Sequence, residues 1–187
     1  MQAEQFLNHY LLRPLPATGP QPLVTGLRRS AVLVPLLHYA DELHLLFTRR
    51  ALTLAHHPGQ ISFPGGMLET GETAVQAACR EAEEEIGLPA TTIRVLGELR
   101  PLQTLTGFHI SPVVALVTPG QAYRLNQQEV SEVFEVPLSF FLDPASQQGW
   151  PVWWRGKQQN LTVMPYQDKL IWGATAGIIQ QLLAQIR

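Results

Sequence analysis

Six of the fifteen acidic residues of this 187-residue chain fall between positions 69 and 85: Glu69, Glu72, Glu81, Glu83, Glu84 and Glu85. On a helix, which advances about 100° per residue, Glu81, Glu84 and Glu85 share one arc and Glu83 points elsewhere. Like charges at these spacings repel by a few tenths of a kcal/mol per pair, and no lysine stands nearby to offset them. A hard divalent cation such as Mg²⁺ or Mn²⁺ removes that repulsion. It prefers oxygen ligands, and several carboxylates on a rigid face, completed by waters and substrate phosphates, would hold it.

Upstream lies Gly59-Gln60-Ile61-Ser62-Phe63-Pro64-Gly65-Gly66, a strand-like run meeting a Pro-Gly-Gly turn that lets backbone approach a ligand closely. Gly66 is followed after five residues by Glu72 and after seven more by Arg80 and Glu81. Then come Ala82, a free position, Glu84, Glu85, another free position, Gly87 and Leu88. This 23-residue constellation resembles that of the Nudix hydrolases. The resemblance implies an α/β fold, an α/β/α sandwich around a mixed β-sheet. It also implies hydrolysis of a diphosphate that joins a nucleoside to another group. Glu81, Glu84 and Glu85 carry over as metal ligands, the Gly65 carbonyl as a further one, and Glu72 and Arg80 as supporting residues. Arg80 would orient a glutamate through a charge-assisted pair. The physical reading agrees, because an anionic pyrophosphate needs cations around it before water can attack phosphorus.

A second resemblance concerns the substrate. Phe47, Thr48, Arg50, Ala51, Gly59, Phe63, Pro64, Gly65 and Gly66 match places in the motif of the coenzyme A pyrophosphatase branch, whereas Ala55 stands where that branch has an arginine and Phe47 where it has a leucine. It implies cleavage of coenzyme A or a derivative to 3′,5′-ADP and 4′-phosphopantetheine. Arg49 and Arg50 should point to opposite faces of a strand. The motif favours Arg50 for substrate, with Arg49, His56 and His57 as further donors near the Gly65-Gly66 loop. Asn126 to Leu138 resembles the family's loop and strand entry that often carries another catalytic glutamate, here Glu129 or Glu132. Within the same chemistry, NADH, ADP-ribose and nucleoside triphosphates are alternative substrates. A non-catalytic nucleotide-sensing module is the rival from another class, and such modules often lose the glutamates that are all present here.

These groups need a scaffold. Thr73 to Gly87 has no proline or internal glycine and ends at Gly87 with Pro89 beyond, which predicts a helix. Val75, Ala78, Ala82 and Ile86 form its apolar stripe with Cys79 at the edge, so the metal would lie on the face away from the core. Ser30–His38 and Leu43–Thr48 read as strands paired around Asp41-Glu42, with further strands over 93–99 and 108–117. Trp150–Arg155 and Leu161–Met164 read as a hairpin through Gly156-Lys157 whose tryptophans serve buried or interface packing. The terminal helix would pack through Ile178, Ile179, Leu182, Leu183 and Ile186. Residues 1–28 read as an N-terminal helix over 2–12 and an extended proline-rich lead-in over 13–26. Residues 29–187 carry the hydrolase domain.

Composition bounds the rest. With 45% hydrophobic and 15% charged residues the chain is too apolar for disorder, and no uncharged run is long enough for a membrane span. A formal net charge of -2 argues against binding a nucleic acid polymer, which leaves a small-molecule nucleotide as the partner. The lone cysteine, Cys79, excludes a disulfide framework, and the first residues lack the features of a secretion signal, so a cytoplasmic protein is expected. The apolar aromatic segments are compatible with a homodimer.

Overall fold

A computed structural model describes residues 1–13, 26–154 and 156–187. Apart from its two ends, the expected extended run over 13–26 lies outside the described residues, as does Arg155 of the hairpin turn. The elements in order are α1 (Ala3–Leu12), β1 (Arg28–His38), β2 (Leu43–Arg50), β3 (Ile61–Ser62), β4 (Gly65–Met67) and α2 (Ala74–Ile86). There follow β5 (Ile93–Glu98), β6 (Leu102–Gln103), β7 (Phe108–Val117), β8 (Val130–Pro137), α3 (Leu138–Leu142), β9 (Gln148–Trp154), β10 (Lys157–Tyr166), β11 (Lys169–Trp172) and α4 (Gly173–Ile186).

Eight strands form a mixed sheet in which β1 runs parallel to β7 and antiparallel to β2 and β4, while β8 lies on the other edge of β2. Its central strands are apolar on both faces because both faces are covered. Ala31, Leu33 and Leu37 of β1 and Val113 and Ala115 of β7 pack with α2, whereas Val34, Leu36 and Val114 pack on the side of α1, α3 and α4. The result is the expected α/β/α sandwich. A smaller antiparallel sheet, ordered β11-β10-β9, joins the α4 side.

The edge of β1 that faces β4 and β2 changes partner along its length. Ser30–Val32 pair with β4 and Leu36–His38 with β2, and Pro35 falls between the two pairings. The Leu33 N–H on that edge bonds the Pro64 carbonyl at 2.9 Å, so the edge group that Pro35 lacks lies where the ladder is interrupted. β1 and β2 part there, and the short strands β3 and β4 occupy the opening and carry the Pro-Gly-Gly turn beneath α2.

α2 begins with a capping box, in which the Gln76 N–H donates to Thr73 Oγ1 at 3.2 Å and the Thr73 N–H to Gln76 Oε1 at 2.9 Å. It ends at Gly87 with φ 67°, whose N–H bonds the Glu83 carbonyl at 2.9 Å. Ala78, Ala82 and Ile86 of the expected stripe are buried, Val75 packs half-buried beside them and Cys79 lies at the edge, while Ala77 and Glu85 are buried in addition. Three alanines let the helix settle close on the sheet, with Glu85 inside. The expectation of carboxylates on the face away from the core is corrected for Glu85, whereas Glu81 is partly buried and Glu84 exposed.

The N-terminal helix packs into the main core through Phe6 and Tyr10. Gln185 Nε2 of α4 donates to the Tyr10 and Arg13 carbonyls at 3.2 and 2.7 Å, closing the C-terminal end of α1. The five aliphatic residues expected to seat α4 are all buried. Of the expected buried or interface packing of the hairpin tryptophans, burial within the chain does not hold for Trp150 and Trp153 of β9, which are exposed. Among the described residues no helix is long and apolar enough to cross a membrane.

Candidate active site

The turn of β4 and the acidic face of α2 are built to touch. A Cβ at Gly65 would overlap the Ala31 carbonyl and the Val32 backbone, so only glycine fits there, and one at Gly66 would displace the Glu81 carboxylate from its present position. That closeness brings the Gly65 N–H to Glu85 Oε2 at 3.2 Å. Gly65, expected to offer its carbonyl, here uses its amide.

Arg80 gathers the exposed part of the cluster. Its Nε and Nη2 donate to the two oxygens of Glu72 at 2.9 and 3.1 Å, a paired geometry suited to a carboxylate. Its Nη1 donates to Glu81 Oε1 at 2.9 Å and Glu84 Oε2 at 3.0 Å, and Nη2 also donates to the Met67 carbonyl at 3.1 Å. These bonds engage all five N–H groups of the guanidinium. Its pKa is raised, first by the Glu72 hydrogen bonds and then by those to Glu81 and Glu84. Glu84, its side chain 57% exposed, is turned toward Arg80. Among the described residues no three His, Cys, Asp or Glu side chains are gathered as a metal-holding group, so the expected Glu81–Glu84–Glu85 set is not closed in this arrangement.

Glu85 has the opposite environment. It is 5% exposed, and burial pushes its carboxyl up to about 8 despite the Gly65 bond, with the charges of Glu81 and Glu129 adding to the rise and that of Arg50 opposing it. Burial also raises Glu81, against the pull of Arg80, and the charges of Glu84 and Glu129 push the same way. Five carboxylates (Glu72, Glu81, Glu84, Glu85 and Glu129) thus meet two guanidiniums, Arg80 and Arg50. Such an excess of mutually perturbing acids beside a glycine-lined backbone suits an oxygen-preferring dication.

The remaining expected residues divide between the two faces of β2. Arg49 pairs opposite Glu132 in β8 and Arg50 opposite Val130, so Ser131 bulges out and donates its hydroxyl to the Arg49 and Arg50 carbonyls at 3.2 and 3.3 Å. Arg50 acts on Glu85, and its Nε, like that of Arg49, is buried without a hydrogen-bond partner among the described residues. Arg49 Nη1 instead lies 3.5 Å from Glu132 Oε2, and Glu132 Oε1 takes Lys169 Nζ at 2.9 Å. Glu129 therefore stands with the acidic helix, and Glu132 is held by cations away from it. His56 and His57 lie exposed in the loop between β2 and β3, and His57 adopts φ 55°. Ala55, in the same loop, is also exposed. Sequence reasoning missed Lys169 in this role, which no local pattern marks, and Asn126, which an Asn three residues before a candidate base could have flagged.

The family model for the NUDIX domain matches residues 27–151. The uncharacterized Nudix hydrolase NudL of Photorhabdus laumondii is 40% identical over 183 residues, covering 97% of this chain and 96% of its own. NudL of Klebsiella pneumoniae (strain 342) is 38% identical over 188 residues, covering 100% and 95%. Among solved structures, the NUDIX domain of Shewanella oneidensis NrtR complexed with ADP ribose superposes with a TM-score of 0.56 at 18% identity and full coverage of both chains. A C. elegans Ap4A hydrolase binary complex gives 0.51 at 20% identity over 59% of this chain and 80% of that one. At these identities the two structures speak for the fold.

Proposed function

The chain belongs to the Nudix family and is a pyrophosphohydrolase for nucleoside diphosphate-linked compounds, and from that premise we propose that it hydrolyses coenzyme A or a derivative with the help of Mg²⁺ or Mn²⁺. The observation that carries the catalytic part is the buried carboxyl of Glu85, raised by burial and by Glu81 and Glu129, against the Gly65 amide. Glu81, Glu84 and Glu85 are the residues that would hold the ion, Glu84 by leaving Arg80. The ion, when bound, supplies charge neutralisation for the diphosphate and a more acidic water.

The chain's own residues do the rest. Arg50 offers its cation to the substrate from the same side as Glu85, and Arg80 keeps Glu81 and Glu72 in fixed orientation. Glu129 accepts the proton of the attacking water while its oxygen bonds phosphorus and the bridging P–O bond breaks toward the leaving phosphate. The match of Phe47 to Gly66 to the coenzyme A branch supports the substrate. Ala55 at that branch's arginine position leaves Arg50, and His57 in the adjoining loop, to meet the anionic groups.

A product assay tests this reading. Coenzyme A, NADH, ADP-ribose and deoxynucleoside triphosphates are each incubated with Mg²⁺ or Mn²⁺. Release of 3′,5′-ADP and 4′-phosphopantetheine is expected with the highest kcat/KM in the panel. Turnover of another member without coenzyme A cleavage would move the assignment to that substrate, and turnover of none would favour a nucleotide-sensing module.

A further inference from the structure

Glu129 stands at the end of a segment, 118–129, that has no helix or strand, yet its backbone is tied on both sides. On one side the tie runs to the acidic helix itself. The last carbonyls of a helix have no partner within it, and here the Ile86 carbonyl accepts the Arg124 N–H and the Glu85 carbonyl accepts the Asn126 N–H, both at 2.9 Å. The Asn126 carbonyl then accepts the N–H groups of Glu129 and Val130 at 2.9 and 2.8 Å, and Asn126 Oδ1 accepts the Gln128 N–H at 3.2 Å. On the other side the Glu129 carbonyl accepts the Ala51 N–H at 2.8 Å, next to Arg50. One residue thus links the main chain of Glu85 to that of Glu129 through two hydrogen bonds, and its side chain closes the turn between them.

We propose that Asn126 is a positioning residue that holds Glu129 at a fixed distance from the carboxylates of Glu81 and Glu85. This rests on the reading of Glu129 as the proton acceptor. The side chain supplies the part that sequence can vary. Asparagine bonding the N–H two residues ahead mimics a backbone turn, and alanine at the same place leaves the Gln128 N–H without that acceptor. The main-chain ties to Glu85 would persist, so the loop stays attached while the direction of Glu129 loosens.

The test is a double-mutant cycle read in steady-state kinetics on the most active substrate, with unfolding midpoints as a control. Glu129→Gln alone should lower kcat about a hundredfold or more. Asn126→Ala should lower kcat about fivefold, the worth of one ordinary hydrogen bond, with KM nearly unchanged and no more than a modest fall in the unfolding midpoint. Asn126→Ser, whose hydroxyl can accept the same N–H, should recover most of the loss. In the Glu129→Gln background, Asn126→Ala should add nothing, because there is no longer a base to place. An equal loss from Asn126→Ala in both backgrounds, a loss confined to KM, or no recovery with serine would overturn the proposal and leave Glu129 as the base. A silent Glu129→Gln would remove both.

Discussion

Two clusters of charge flank the same strand, β2, and they are composed in opposite ways. On the α2 side five carboxylates meet Arg80 and Arg50, and the buried members are raised, Glu85 to about 8. On the other side Glu132 and Asp168 meet Arg49 and Lys169, two acids for two bases. There Lys169 Nζ takes Glu132 at 2.9 Å and Asp168 at 3.0 Å and lies 5.1 Å from the centroid of the Phe134 ring. The pairing holds Asp168 below the usual carboxylate range and Lys169 above its own, as Arg80 holds Glu72 low in the other cluster. The difference teaches which cluster awaits a ligand. In the balanced set each acid has a protein cation beside it, although Arg49 Nε is buried without a hydrogen-bond partner among the described residues, while in the unbalanced one acids outnumber cations beside a glycine turn, an excess that an added cation or an added proton would relieve.

The sharpest way to break this contrast is to neutralise one acid of the unbalanced cluster. Glu84→Gln and Glu85→Gln should each lower kcat about a hundredfold or more while leaving the fold intact. Circular dichroism and the product assay check both statements. Activity near that of the parent protein in either variant would show that the charge excess has no part in the reaction.

The sequence made much of this arrangement legible, and physical reasons decide where it did not. Thr73, Gln76 and Gly87 bound α2 by local hydrogen bonds, so its ends could be read from neighbouring residues. The strands β1 and β7 are long apolar runs that only a doubly covered sheet accommodates. The apolar stripe of α2 was legible except for the burial of Ala77 and Glu85, because which further residues are enclosed depends on how closely the Gly65-Gly66 turn approaches the helix. The opposite directions of Arg49 and Arg50 follow from strand alternation. That Glu132 belongs to Lys169 could not be seen, because the pair joins two separate sheets across 37 positions.

Stability as a function of pH sharpens the comparison next. The folded protein raises Glu85 from an ordinary 4.5 to about 8, so between these values the folded state binds more protons than the unfolded one. For this group the metal-free protein should be most stable below pH 4.5 and lose that contribution as pH climbs through about 8. Thermal unfolding in a chelator should show a midpoint that falls over this window relative to Glu85→Gln, which removes the titration. Mn²⁺ should restore stability most at the alkaline end, where the carboxylate is already free to bind it. A parent slope equal to that of Glu85→Gln would remove the burial argument.

A smaller effect is expected from the balanced cluster. Lys169→Met takes away the shared cation of Glu132 and Asp168 but keeps much of the stem that packs near Phe134. Because Asp168 is mostly and Glu132 partly open to water, the loss should be about 1 kcal/mol. It should appear as a modest fall in unfolding midpoint with kcat nearly unchanged. A large loss of kcat at an unchanged midpoint would instead move Lys169, and Glu132 with it, into the reaction.

The smallest effect should come from Glu83, the glutamate of α2 that belongs to neither cluster. Glu83 is exposed on α2, one residue before Glu84, and its carbonyl rather than its side chain takes part in the helix end by accepting the Gly87 N–H. Glu83→Gln keeps that carbonyl and removes only a charge on the solvent side, so stability should stay within about 0.5 kcal/mol and kcat within about twofold. Comparison with Glu84→Gln holds composition, net charge and helix propensity constant and changes only the direction of the lost carboxylate. If the two variants lose activity equally, total negative charge matters and orientation does not. If only Glu84→Gln does, the arc shared with Glu81 and Glu85 is the feature the reaction uses.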